Sequence, residues 1–319
     1  MSALPASEER PALDEAGPEM LTLQAVDGYR LNGFLWRDPR SGRALRPVVI
    51  INPATAVRCR YYFRFARFLF ANGFDVVAYD YRGIGESRPA RLRGFQAGWV
   101  DWGELDFEAV LRHVAEILPG RPIDVVAHSI GGFVTGLAAS APRLRRIVTM
   151  GAQYAYWRDY APATRLRMLA KWHVAMPALA ALCGYFPGKR LGWLEDTPRG
   201  VVRDWAFSPA RFETRQRDGQ RLVERMAAIE APILALSLTD DPFGTVPAIV
   251  RLLGYFTASP RTHLRIAPAE VGVPEIGHFR LFSTAASSRA CGRSRWPGSD
   301  RAACPTARRA ASSVRAIFV

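Results

Sequence analysis

Apolar and polar positions along this chain form short runs whose period keeps changing. Thr22–Val26 and Tyr29–Trp36 alternate with the two-residue period of a half-buried strand, and Asp27-Gly28 between them predicts a hairpin turn. Val48–Ile51 is a continuous β-branched run, the pattern of a strand covered on both faces. Tyr61–Ala71 takes up the helical period and stops at Asn72-Gly73. Phe74–Tyr79 predicts a further buried strand, and Asp101–Leu118 a long amphipathic helix closed by Pro119-Gly120. Strand Ile123–Ala127, helix Gly131–Ser140 and strand Ile147–Met150 follow. Such alternation predicts an α/β fold: a mostly parallel central sheet with helices on both faces.

The rhythm breaks over residues 152–228, which are rich in Trp, Tyr, Phe and Arg and show no clear strand. It resumes with strand Ile233–Leu238, helix Val246–Tyr255 and strand Thr262–Ile266. The interruption predicts a helical cap inserted into one α/β core, with core segments at 19–151 and 229–280. Within the cap, Ala175–Phe186 reads as a buried helix rather than a lid touching lipid. Tyr154, Tyr156, Trp157, Tyr160 and Trp172 are either plain core or the wall of an acyl pocket. Residues 1–18 are Ala/Pro/Glu-rich without the basic-then-apolar layout of a signal peptide, and are expected to be a disordered tail. Residues 281–319 read as an irregular Arg/Ala/Ser-rich tail.

The 319 residues carry a formal charge of +14, which raises a nucleic-acid reading. Two features argue against it. The cations are almost all Arg, with only Lys171 and Lys189 as lysines, which points to a GC-rich coding sequence. Residues 279–319 hold eight Arg and one Asp, so half of the excess lies in the last stretch. No nucleic-acid-binding motif accompanies the charge. Cys59, Cys183, Cys291 and Cys304 are too scattered for a zinc site or a disulfide framework, so a reducing cytoplasm and no bound metal are expected. No run of 18 apolar residues occurs, and no transmembrane segment is expected.

The chemistry concentrates in Asp124-Val125-Val126-Ala127-His128-Ser129-Ile130-Gly131-Gly132. A serine hydroxyl is a weak nucleophile at neutral pH and needs an exposed position and an adjacent base. A tight turn from a strand into a helix supplies the exposure. It crowds the backbone, so small residues such as Ala127 and Gly131 are required around Ser129. His128 reads as packing in that turn. Asp80-Tyr81-Arg82-Gly83-Ile84-Gly85-Glu86-Ser87 contains a G-x-G but not the full dinucleotide fingerprint, so no nucleotide cofactor is expected and Asp80 and Arg82 read as structural.

With the order serine, acid, histidine, the base must follow Ser129, and only His173, His263 and His278 do. His173 falls in the cap and His263 within the last strand. His278 lies in a loop after that strand, where an imidazole can reach Ser129, and is the candidate base. The acid is expected after strand Ile233–Leu238, where Asp240 and Asp241 compete; Asp241 is favoured, with its neighbour capping a helix or holding the loop. For an oxyanion hole, one donor is expected at the N–H of Ile130 and a second at Ala54 or Thr55.

These segments together resemble the α/β-hydrolase superfamily, and more narrowly a bacterial group of predicted α/β-hydrolases with a serine-aminopeptidase-like domain. The matching pieces are Ile51-Asn52-Pro53-Ala54 with Arg60-Tyr61-Tyr62, the Asp80–Ser87 turn, Ala127–Gly132, Gly184-Tyr185-Phe186-Pro187-Gly188, Asp240-Asp241 and Gly277-His278-Phe279. The resemblance implies a triad of Ser129, Asp241 and His278, no cofactor, and a small acyl substrate. It predicts a serine hydrolase cleaving an ester, thioester or amide. The alternatives are an acyltransferase using the same triad, or a non-catalytic binding protein on this fold.

The chain departs from the group after His278. Such proteins continue Gly-His-Phe with Gly-Phe-Phe-Arg and a final amphipathic helix; here Arg280-Leu281-Phe282-Ser283-Thr284 follows. The codons CGG-CTT-TTT-TCG-ACN can encode this stretch, and read from their second base they give Gly-Phe-Phe-Arg. A one-base change of frame is therefore expected, with loss of the helix leaving sheet surface uncovered and His278 less well held. Resequencing the coding DNA is expected to recover the second frame. An intact frame whose tail is shared by close relatives would overturn this.

Overall fold

The computed structural model describes residues 17–39, 46–214 and 218–282. The expected tail at 1–18, up to residue 16, and the Arg/Ala/Ser-rich stretch beyond Phe282 lie outside the described residues. Among the described residues ten strands form: β1 (Glu19–Gln24), β2 (Arg30–Trp36), β3 (Val48–Asn52), β4 (Asp75–Tyr79), β5 (Ile123–His128), β6 (Arg146–Met150), β7 (Tyr185–Phe186), β8 (Thr197–Pro198), β9 (Ile233–Leu238) and β10 (Arg261–Ile266). Eight make one sheet in the order β1-β2-β4-β3-β5-β6-β9-β10. The β1–β2 hairpin joins β4 antiparallel, and every pairing from β4 to β10 is parallel. Every residue of β3 and of β4 is buried, as their unbroken apolar runs require.

Register sets the carboxyl ends of the central strands level with one another. Asn52 pairs with Ala127, His128 with Met150, and Met150 with Leu236. The loops after β3, β5, β6 and β9 therefore emerge along a single rim, where open α/β sheets place their ligand sites. At the far edge β10 is thinly covered, and none of its six residues is buried.

Local departures from the expected elements have identifiable causes. The long helix runs from Trp99 to Ile117, but its Trp102–Phe107 stretch is wound as a π-helix. Gly103 there presses so closely on its neighbour that a Cβ would sit 2.4 Å from Leu137 Cβ. Asp106 in the same stretch receives the backbone N–H and Nε of Arg82, at 2.8 and 2.6 Å. The helix expected over Gly131–Ser140 stops at Leu137. Ser140 is held outside it by Glu108, whose carboxylate accepts the Ser140 N–H and hydroxyl, both at 2.7 Å. Asp80 accepts the N–H groups of Cys59 and Glu86, at 2.6 and 2.9 Å, which pins the turn after β4.

Residues 152–228 contain helical segments, including a continuous helix from Arg165 to Cys183 whose Leu169–Ala175 section is π-wound, and helices Arg199–Ala206 and Gly219–Ala227. The short antiparallel pair β7–β8 was not signalled by any run of strand-forming residues. Ala175–Phe186 is not the buried segment expected: Met176, Ala180 and Phe186 are buried, whereas Ala178, Ala181 and Leu182 are exposed. Among the described residues no helix is long and apolar enough to cross a membrane.

Candidate active site

β5 ends at His128, and the chain turns sharply at Ser129 into the helix Gly131–Leu137. Ser129 adopts a left-handed backbone with φ 54°, one of two non-glycine residues with positive φ among those described. Its N–H donates to the Met150 carbonyl at 3.1 Å, and its carbonyl accepts from the N–H of Gln153 at 3.3 Å. Gly131 lets the turn close, since a Cβ there would lie 2.4 Å from the Asn52 carbonyl oxygen. The side chain thus stands on the rim with its position set by β3, β5 and β6 together.

The structure brings Ser129, Asp241 and His278 together. His278 Nδ1 lies 2.7 Å from Asp241 Oδ2, and its Nε2 lies 2.9 Å from Ser129 Oγ. An ionised carboxylate only accepts, so Nδ1 carries the proton, Nε2 is the acceptor, and the serine O–H points to the imidazole. Burial pushes the Asp241 carboxyl up, but the charge and hydrogen bond of His278 and the N–H groups of Gly244 and Phe243 outweigh it and hold it below the usual value. Asp240 faces elsewhere: one of its oxygens accepts the N–H groups of Ile276 and Gly277, at 2.7 and 2.9 Å, and so braces the loop that carries His278. The other two histidines are occupied away from the serine. His173 bonds the Ala206 carbonyl and the Tyr160 hydroxyl, and His263 the Ser237 hydroxyl.

A pocket opens beside these groups, lined by Ala54, Thr55, Ile130, Gln153 and a wall of Trp99, Trp205, Phe243 and Phe279. The N–H of Ala54 is taken by the Tyr62 hydroxyl at 2.9 Å. The N–H groups of Thr55 and Ile130 donate to no other described residue. Gln153, which no sequence signal marked, is buried with its Nε2 3.5 Å from Ser129 Oγ. The aromatic cluster singled out in the cap does not form the wall. Tyr160 is buried and shares its hydroxyl with Trp205 Nε1, and Trp172 stacks on Trp205 at 4.8 Å between ring centres. Tyr154 lines an adjoining cleft with Trp99 and Phe212.

His128 does more than fill the turn. Its Nε2 lies 2.9 Å from the backbone carbonyl of His278, and its Nδ1 2.8 Å from the Tyr62 hydroxyl. A carbonyl only accepts, so Nε2 carries the proton and Nδ1 accepts from Tyr62, whose phenol burial keeps protonated far above its ordinary range. One directed chain follows: Ala54 N–H to Tyr62 oxygen, Tyr62 O–H to His128 Nδ1, His128 Nε2–H to the His278 carbonyl. It ties the loop after β3, the end of β5 and the His278 loop together. Phe282, which the sequence placed in the irregular tail, is buried against Tyr62, Phe65 and His128, with ring centres 4.9 to 5.3 Å away.

Burial, reinforced by the nearby His278, lowers the His128 pKa from 6.5 to about 3. A lowered folded-state value means the unfolded chain binds the extra proton first, so the contribution of His128 to stability is full above pH 6.5 and is lost as the pH falls toward 3. Asp80 and Asp106, raised by burial to about 6 and about 7, act in the opposite direction. The readout is therefore a difference between proteins. Between pH 3 and 6.5 wild type is expected to lose up to about 1.4 kcal/mol per pH unit more than His128→Gln. Parallel stability–pH curves from denaturant titrations would contradict this.

Residues 43–262 match the family model described as serine aminopeptidase, S33. Solved structures share the fold at low identity. DcsB in complex with its substrate analogue superposes with a TM-score of 0.59 at 14% identity, covering 95% of this chain and 98% of that one. A soluble variant of monoglyceride lipase from Saccharomyces cerevisiae gives 0.59 at 15% identity over 80% and 87% of the two chains. An esterase from Pyrococcus furiosus gives 0.53 at 15% identity, covering 84% of each. With an eight-stranded, mostly parallel sheet and a match over more than two thirds of its length, the chain belongs to the serine aminopeptidase S33 family of α/β-hydrolases.

Proposed function

We propose that this protein is a serine hydrolase that cleaves a carboxylic ester through an acyl-enzyme on Ser129. The observation that carries the reading is the directed pair of contacts from Asp241 to His278 and from His278 to Ser129, at 2.7 and 2.9 Å, beside a mostly apolar pocket. Ser129 Oγ attacks the substrate carbonyl as His278 Nε2 takes its proton. Asp241 holds the tautomer and stabilises the imidazolium. The oxygen of the tetrahedral intermediate faces the N–H groups of Ile130 and Thr55, and Ala54, whose N–H is already bonded, serves by fixing that loop. His278 then protonates the leaving oxygen, the alcohol departs, and water repeats the sequence on the acyl-enzyme.

An ester asks less of this site than an amide, because an alkoxide is a far better leaving group than an amide anion and so depends less on proton transfer from His278. The aromatic wall favours an apolar acyl group, and the structural neighbours described as an esterase and a monoglyceride lipase support that choice.

Wild type is expected to react with a fluorophosphonate probe, and Ser129→Ala to leave no label. Asp241→Asn is expected to lower kcat on a short ester about 10³–10⁴-fold with little change in KM. A folded wild type that takes no label, or an Ser129→Ala protein that still does, would overturn the assignment. An ester, thioester and amide panel separates the leaving-group classes.

A further inference from the structure

The helix from Arg165 to Cys183 carries two apolar stripes. Met168, Trp172, Met176 and Ala180 recur every fourth residue and are buried. Leu166, Ala170, Val174, Ala178 and Leu182 recur at the same spacing and are all exposed. Leu166 is 80% exposed, Val174 61% and Leu182 79%. In an α-helix a four-residue repeat drifts around the axis. The π-wound section Leu169–Ala175, with more residues per turn, corrects that drift and keeps both stripes straight. The inward stripe meets the site, because Trp172 stacks on the pocket residue Trp205. The outward stripe meets no partner among the described residues.

Charge selects what covers it. Residues 160–194 contain five cations, Arg165, Arg167, Lys171, Lys189 and Arg190, and no Asp or Glu; Lys189 is bridged to Glu195 at 3.0 Å, which leaves the other four to set the charge of this face. Arg167 and Arg190 are exposed, and Lys171 rests over the rings of Trp172 and Trp193, 4.5 and 4.2 Å from their centres. A second copy docking by the same stripe would bring these cations against each other. The chain's own residues 283–319 are no better suited, holding seven Arg and one Asp. The helix's own cations suit it to lie along a bilayer rather than cross it.

We propose that this face of the cap docks on an anionic lipid surface. Leu166, Val174 and Leu182 enter the acyl region while the flanking cations meet lipid phosphates or carboxylates. Delivery of a lipid-dissolved acyl substrate to the pocket, whose Trp205 wall packs against this helix, rests on the hydrolase reading; the docking does not.

The test is co-sedimentation of the full chain with vesicles of phosphatidylglycerol and phosphatidylcholine in equal parts, against phosphatidylcholine alone. Wild type is expected to bind the anionic vesicles, more weakly at high salt, and to ignore the neutral ones. Val174→Glu and Leu182→Glu are each expected to weaken binding about tenfold, because each removes the transfer of one aliphatic side chain. Both variants are expected to keep the thermal stability and the short-ester activity of wild type. Ser129→Ala is expected to bind vesicles as wild type does, so failure of the hydrolase reading is seen separately. No binding to anionic vesicles overturns the proposal, as does binding that survives both substitutions. Vesicle-independent dimers that Leu182→Glu dissociates would identify a second copy as the occupant and overturn it equally.

Discussion

The left-handed backbone of Ser129 is the constraint on which the rest of the site depends. A non-glycine residue in that conformation costs on the order of 1–3 kcal/mol and persists only where its surroundings leave no alternative. Here the surroundings are three strands in fixed register. β6 supplies the Met150 carbonyl to the Ser129 N–H, the loop after β6 supplies the Gln153 N–H to its carbonyl, and β3 brings the Asn52 carbonyl against Gly131. Each of these contacts opposes relaxation of the turn toward ordinary backbone, which would withdraw the hydroxyl from the rim. The buried β-branched cores of β3 and β5 therefore serve the proposed chemistry, by holding the strand ends level enough for the turn to close.

The imidazole partner stands on a loop, which is a softer support, and the structure stiffens it with polar contacts made to its backbone. Asp240 grips the two residues before His278, and His128 grips the carbonyl of His278 itself. The histidine gripping that carbonyl must stay neutral. A charged His128 would repel the imidazolium that the proposed mechanism forms on His278, and burial keeps His128 neutral until the pH falls to about 3. The adjacent aspartates divide two tasks that one could not perform, since a carboxylate committed to backbone N–H groups cannot also orient an imidazole.

Much of this was legible in the sequence because it is encoded in order and period. The strands announce themselves as apolar runs, and Ser129, Asp241 and His278 follow the serine, acid, histidine order in the turns after β5, β9 and β10. What could not be read was contact between residues distant in the chain. Tyr62 and His128 are 66 positions apart, and His128 and His278 are 150 apart, so no local pattern joins them. The choice between Asp240 and Asp241 likewise turns on side-chain direction within a loop. The pocket wall could not be read for a related reason: composition shows where aromatics are dense, whereas the wall is assembled from Trp99, Trp205, Phe243 and Phe279, scattered along the chain. The π-wound stretches are invisible to a reading based on 3.6 residues per turn.

The cap shows what that last omission conceals. Within the helix Arg165–Cys183, the part from Ala175 onward is apolar with small residues, and burial is the natural inference when no other period is considered. Scanned at a repeat of four, which its winding permits, the whole helix resolves into two opposed apolar stripes with cations between and around them. One stripe is explained by the Trp172–Trp205 stack beneath it. The other has no internal explanation, and a helix that needed only to cover the pocket would be more stable in water with polar residues there. Keeping five apolar side chains on the outside of a helix that backs the Trp205 wall of the pocket, in a stretch free of carboxylates, is intelligible if that face is also the surface by which the protein meets lipid.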